Sequence, residues 1–334
     1  LLILLFCLSV LFSCSIATAD ANHAFYPLPH QERGSFVAAE KIIRNTNSGL
    51  WFVDVQGSLI FYDGSRLNNA VDEAGETITG VTDAVMLEQE LWLVKDGLAY
   101  CYSPTTTELH RLDMSSTPFQ FVENQGQEIW FANSRGLYAV IDRQQQPEFF
   151  PFPKSFSITG LYGAGGSIFV AGEQGVYEFR NRQFIELLLY PGQKVTTVFE
   201  DSQHQLWFGT LNGLYLSRRE RVFVPAQNTL RNNSSVSAIA ETESGMWIGT
   251  PRGLNHIDKQ SLKVTHYSAD ADGEYSINGN RIMALLRDEK DGLWIATNSG
   301  INYLPTSTAA LRQVPYNQDT GLIPPSQINQ LQQL

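Results

Sequence analysis

Six histidines, at positions 23, 30, 110, 204, 256 and 266, are the first residues to weigh for chemistry, and none pairs with His or Cys at a metal-binding spacing. There is no H-x-H or H-E-x-x-H pattern, no G-x-S-x-G elbow, no phosphate loop and no dinucleotide fingerprint. Asp201, Asp288 and Asp291 come closer to a pattern, because they fall in short polar stretches that could hold Ca²⁺. Each stretch offers only two or three carboxylates, and Asp in a turn ordinarily bonds its own backbone. The sequence therefore predicts no catalytic group, no metal and no cofactor.

A second set of polar residues recurs just ahead of a glycine: Lys95, Arg135, Glu173, Asn212, Arg252 and Asn298 precede Gly97, Gly136, Gly175, Gly213, Gly253 and Gly300 by one or two positions. Asp54 and Asp96 fall in the same stretches. What places them is a repeat of about 40 residues, marked by Trp51, Trp92, Trp130, Trp207, Trp247 and Trp294 at steps of 41, 38, 77, 40 and 47. The 77-residue step is double, and Phe169 fills its middle in the same local setting. Glycine follows each aromatic by five or six residues, where a tight hairpin turn needs φ > 0. Apolar runs such as Val195-Thr196-Thr197-Val198-Phe199 precede the aromatic, and two further β-rich runs follow the glycine.

Four short antiparallel strands every ~40 residues describe a β-propeller blade. The expected fold is all-β, a seven-bladed β-propeller over residues 36–320, preceded by an extended segment at 20–35 that pairs at the closing blade or packs beneath it. The blade aromatics Trp51, Trp92, Trp130, Phe169, Trp207, Trp247 and Trp294 are expected to wedge between neighbouring sheets. In such a ring the second-to-third turns and the fourth-to-first connections share one end of the channel. That end would carry Lys95, Arg135, Glu173, Asn212, Arg252 and Asn298, and the longest connection, 268–280, would add Asp270, Asp272 and Tyr275. Mixed polar groups with Arg and Tyr suit a hydroxylated or carboxylated small molecule; a merely solvated loop face is the plainer reading.

The flanks and the charge set the surroundings. Leu1 to Ala19 carries no charge, holds the run LLILLFCLSVLF and ends in Ala17-Thr18-Ala19, the form of a secretory signal peptide too short to span a bilayer. Its removal leaves Cys101 as the one cysteine, with no disulfide partner. With 34 acidic against 23 basic residues the net charge is −11, and no basic run exists, which argues against nucleic acid and anionic membranes as partners.

The stretches Asp288-Glu289-Lys290-Asp291-Gly292-Leu293-Trp294-Ile295-Ala296-Thr297-Asn298-Ser299-Gly300-Ile301 and Gly245-Met246-Trp247-Ile248-Gly249-Thr250-Pro251-Arg252-Gly253-Leu254 resemble the two-component regulator propeller repeat, D-x-x-G-x-L-W-I-G-T-x-x-G-L. The turn at Leu87-Glu88-Gln89-Glu90-Leu91-Trp92 lacks the family's glycine, and the fourth blade has Phe169 for Trp. Residues 321–334 are similar to the opening of a further repeat. The resemblance implies a periplasmic sensor region of a membrane receptor whose output module, a histidine kinase or diguanylate cyclase, lies elsewhere in the chain. It also implies a second propeller of the same chain as a partner, with a homodimer as a further candidate assembly, and a small-molecule ligand such as an oligosaccharide. An exported propeller lyase or glycosidase and a protein-docking scaffold are the competing expectations.

Overall fold

The computed structural model describes residues 26–28, 37–141, 146–173, 175–187, 194–218, 222–225, 235–259, 261, 263–269 and 276–305. The expected signal peptide at 1–19, Asp270, Asp272, Tyr275 and the expected further repeat at 321–334 lie outside these residues. Seven four-stranded antiparallel sheets make up the fold, with no helix among the described residues. Their first strands are Ala39–Arg44, Val81–Leu87, Phe119–Gln125, Ile158–Ala164, Val195–Glu200, Ala238–Glu241 and Ile282–Arg287. Each packs on the first strand of the next sheet, and the last packs on Ala39–Arg44, so the sheets close into a seven-bladed propeller.

Six blades take their strands in chain order. The seventh borrows its fourth strand from the other end of the chain: Tyr26–Pro27 lies antiparallel to Gly300–Leu304, with Tyr26 opposite Tyr303 and Pro27 opposite Asn302. Leu28 continues the pairing through its N–H to the Ile301 carbonyl at 2.9 Å, and its side chain is buried with Phe52 and Ile301. Pro27 is tolerated because the outermost strand asks for no further N–H.

The repeating aromatic sits on the second strand of each blade, between neighbouring sheets. Trp51, Trp92, Trp130, Phe169 and Trp247 are buried, and Trp207 and Trp294 are half-buried. The indole N–H needs an acceptor, and the first-to-second turn supplies one: Asp201 for Trp207 at 2.7 Å, Thr242 for Trp247 at 2.9 Å and Asn45 for Trp51 at 3.4 Å. Trp130 has no such acceptor; its ring lies under the Arg182 guanidinium of blade 4 at 5.5 Å. The turn glycines mostly occupy the left-handed region, with Gly213, Gly253 and Gly300 at φ 127°, 129° and 124°. Gly136 does not, and there the constraint is space, since a Cβ would sit 2.2 Å from the Phe150 carbonyl oxygen.

One position ties the blades together. It is the residue after the one paired with the blade aromatic, near the end of each first strand: Arg44, Met86, Asn124, Gly163, Glu200, Glu241 and Arg287. Arg44 donates to the Arg287 carbonyl of blade 7, and Asn124 donates to the Met86 carbonyl of blade 2. Glu200 accepts the Gly165 N–H of blade 4 at 2.6 Å, and Glu241 accepts the Ser202 N–H and hydroxyl of blade 5 at 2.7 and 2.8 Å. Arg287 acts through Asp291, bonded at 2.6 Å, whose carboxylate accepts the Glu243 N–H of blade 6 at 3.0 Å. Gly163 has no side chain, and the preceding blade compensates, with Glu123 accepting its N–H. These bonds form a belt around the end of the ring that carries the first-to-second turns.

Candidate functional site

At the opposite end, here the mouth, the second-to-third turns satisfy themselves. Thr210, Thr250 and Thr297 each donate a hydroxyl to the carbonyl of the glycine three residues on, at 2.8 to 3.0 Å, and accept the N–H two residues on, at 3.0 or 3.1 Å. Asn133 and Asp54 do the same work in blades 3 and 1 by accepting from Arg135 N–H and from Gln56 and Ser58 N–H. A side chain that closes the turn leaves the next residues free to vary without loss of backbone hydrogen bonding.

Those variable positions are the ones the sequence singles out. Arg135, Glu173, Asn212, Arg252 and Asn298 are exposed and Lys95 is half-buried, at equivalent places in successive blades. The structure does not gather them into one cluster. Arg135 turns toward the rim, its guanidinium 5.8 Å from the Phe149 ring of the outermost strand. Lys95 is held by the adjacent Asp96 at 2.5 Å, and the Asn298 amide oxygen accepts the Arg281 N–H at 3.1 Å. The turn carboxylates at the belt end are equally occupied. Asp201 accepts the Gln203 and Gln205 N–H groups, and Asp288 accepts those of Lys290 and Gly292 along with the Tyr303 hydroxyl. Their geometry is that of turn-closing side chains.

What does gather lies on the first strands of blades 1 to 4. The Lys41 ammonium meets Asp83 at 2.5 Å, and Asp83 in turn accepts the Val122 N–H of blade 3 at 2.9 Å. Burial pushes the Glu123 carboxyl above the usual carboxylate range; Lys41 opposes this and Asp83 adds to it. For Lys41, burial acts to lower the ammonium, but the two carboxylates outweigh it and hold it above the ordinary lysine value. Tyr162, whose hydroxyl donates to the Thr196 carbonyl at 2.5 Å, is raised far above a normal phenol by burial and by the same carboxylates. The corresponding stretches of blades 6 and 7 are apolar, Ala238-Ile239-Ala240 and Ala284-Leu285-Leu286. The inner surface thus has a charged arc and an apolar arc. The signal for this arc is a charged residue on the first strand of each of blades 1 to 3, where blades 6 and 7 carry Ala, Ile and Leu.

With the geometry in view, the chain can be set beside known proteins. Residues 190–212 and 276–299 match the two component regulator propeller family. No curated protein matches the chain. Among solved structures, the extracellular domain of BT4673 from B. thetaiotaomicron, assigned as a one component system, superposes with a TM-score of 0.71 at 18% identity, over 84% of this chain and 40% of that one. The extracellular domain of BT3049 from the same organism, assigned to a hybrid two component system, gives 0.69 at 17% identity, over 85% and 42%. The present chain thus spans about 40% of the length of either. Streptogramin B lyase gives a TM-score of 0.66 at 11% identity, over 84% of this chain and 97% of that one. At these identities the likeness is one of fold.

Proposed function

We propose that the chain is the ligand-sensing propeller of an exported receptor region, non-enzymatic itself, in which a small hydroxylated molecule such as an oligosaccharide enters at the mouth and engages the charged arc. The observation that carries this reading is the division of labour at the mouth: turns closed by their own Thr leave Arg252 and Asn212 exposed, and Glu173 is exposed at the matching turn of blade 4, around first strands that hold Lys41, Asp83 and Glu123. The regulator propeller repeats, and the likeness of fold to extracellular domains assigned to one component and hybrid two component systems, support the signalling role. A sensor must bind its ligand with different affinity in two receptor arrangements, and a second propeller following this one would provide the moving partner.

Thermal-shift titration of the chain with neutral and acidic oligosaccharide pools tests the reading. A stabilising pool is expected, with the shift reduced by Arg252→Ala and by Lys41→Met. Failure of every pool, or turnover of a pool component that is lost on changing Glu173 or Glu123, would move the assignment to a docking scaffold or an exported enzyme respectively.

A further inference from the structure

Along the inner surface, six junctions in a row carry a side-chain tie between first strands, and the ties change character halfway round. Lys41 to Asp83 joins blades 1 and 2, Asp83 to the Val122 N–H joins blades 2 and 3, and Glu123 to the Gly163 N–H joins blades 3 and 4. From there on the ties are neutral: Tyr162 donates to the Thr196 carbonyl, Thr196 to the Val236 carbonyl at 2.5 Å and Ser237 to the Ile282 carbonyl at 2.6 Å. Of these ties, those of blades 1 to 4 are the ones a proton can change.

The charged half sets one ammonium against two carboxylates, a net negative charge when all three are ionised and none once a carboxyl is protonated. Geometry selects the carboxyl. Asp83 accepts the Lys41 ammonium and the N–H groups of Ala84 and Val122. Glu123 accepts the N–H groups of Asn124 and Gly163, and no cation lies within ion-pair distance of it among the described residues. Tyr162 keeps its proton: its ring lies over Gly160, where a Cβ would come within 2.3 Å of the hydroxyl oxygen, and the hydroxyl is committed to Thr196. The remaining charges on strands packed against Phe119–Gln125 are engaged elsewhere, Lys95 with Asp96, Glu128 with Arg182 and Glu90 with the Cys101 thiol.

On the blades 5 to 7 side the mouth is basic. Lys194 and Arg281 stand beside the second-to-third turns, their carbonyls accepting the Leu211 and Asn298 N–H groups at 3.1 and 3.0 Å, and Arg252 is exposed on the turn between them. None of those turns, 210–213, 250–253 and 297–300, contains a carboxylate.

We infer that Glu123 is a proton switch for the mouth: with its carboxyl protonated the arc is neutral and the mouth takes an acidic sugar anchored on Lys194, Arg252 and Arg281, and with it ionised the arc repels the same ligand. The inference rests on the mouth being the binding surface proposed above. Because linkage is reciprocal, the bound acid in turn raises the affinity of Glu123 for its proton.

Calorimetric titration of the whole chain at pH 5 and pH 8 tests the switch, with the β-1,4 trimer of mannuronic acid as the probe and the β-1,4 mannose trimer as the neutral control. The acid trimer should bind about tenfold more tightly at pH 5, the effect of removing one like charge at close range, and the neutral trimer should bind equally at both. Glu123→Gln keeps the shape and an acceptor oxygen of the side chain, and it should bind the acid trimer at both pH values as tightly as wild type does at pH 5. Carbon-13 carboxyl NMR of the ligand-free chain checks the proton itself: the resonance lost in Glu123→Gln should titrate above the exposed glutamates, and Asp83→Asn should lower its midpoint. A Glu123 resonance that titrates with the exposed glutamates, acid-trimer binding that is independent of pH or absent while the neutral trimer binds, or a pH dependence kept in Glu123→Gln would each overturn the switch and leave the mouth reading standing. Binding of neither trimer at either pH would overturn the mouth reading and the switch with it.

Discussion

The two ends of this propeller spend their polar side chains in opposite ways. At the belt, Glu200, Glu241 and Asp291 reach from one blade to the backbone of its neighbour, so a carboxylate there is part of the ring's closure. At the mouth, Thr210, Thr250 and Thr297 each close their own turn, with Thr297 also bonded to Asn278 in the connection leading into blade 7, and the residues beside them face water. Identical chemistry therefore has different consequences: a buried acceptor between blades restrains two sheets, whereas a turn-closing hydroxyl restrains four residues. An end built from self-contained turns can change its surface without loosening the ring, which is what a recognition surface requires.

The sharpest reference point for this contrast is the packing common to both ends. Trp247→Ala should cost about 3–5 kcal/mol in urea unfolding, because the ring is buried between blades and its indole N–H is bonded to Thr242. Next comes the belt. Glu241→Ala strands the Ser202 N–H and frees Lys259, at an expected cost of about 1–3 kcal/mol. This contribution has a pH signature. Burial acts to raise the Glu241 carboxyl, but the bonds from Lys259 and Ser202 outweigh it and hold it below its ordinary value of 4.5. The stability it confers is therefore complete above that pH and is lost as pH falls through the depressed folded value, so the wild-type and Glu241→Ala melting curves should converge in acid.

Smaller effects separate the ends further. Thr250→Ala should cost about 0.5–1.5 kcal/mol and Thr250→Ser less, whereas the neighbouring Arg252→Ala should stay within about 0.5 kcal/mol of wild type by the same assay. If Thr250→Ala were as costly as Glu241→Ala, the contrast between belt and mouth would fail. Glu123→Gln should slightly raise the melting temperature at neutral pH. Burial lifts the folded-state pKa of Glu123, so its charge opposes folding above that value and not below the unfolded one. Its advantage should therefore vanish in acid.

Much of the ring was legible in the chain. The Trp and Gly spacings give seven blades, and the alternation around Trp207 or Trp294 gives second and third strands, because a four-stranded blade repeats the same local needs every ~40 residues. The mouth was legible only as a set of positions. That Arg135 lies against Phe149 at the rim and that Lys95 pairs with Asp96 depends on which way each side chain leaves its turn. The charged arc of Lys41, Asp83 and Glu123 is not legible in the chain because its members stand about 40 residues apart in three strands, and nothing within one strand says that its charge meets the others.

The blade count, the strand order of the first six blades and the turn residues follow from the chain alone, since these rest on contacts within a single repeat. Tertiary structure decided the rest. The closing of blade 7 by Tyr26–Pro27, the belt, and the pairing of Lys41 with Asp83 all join residues from different repeats. No local pattern encodes such pairs. They exist because seven twisted sheets packed face to face must bring the ends of their first strands into hydrogen-bonding range, and the polar groups buried there must find partners.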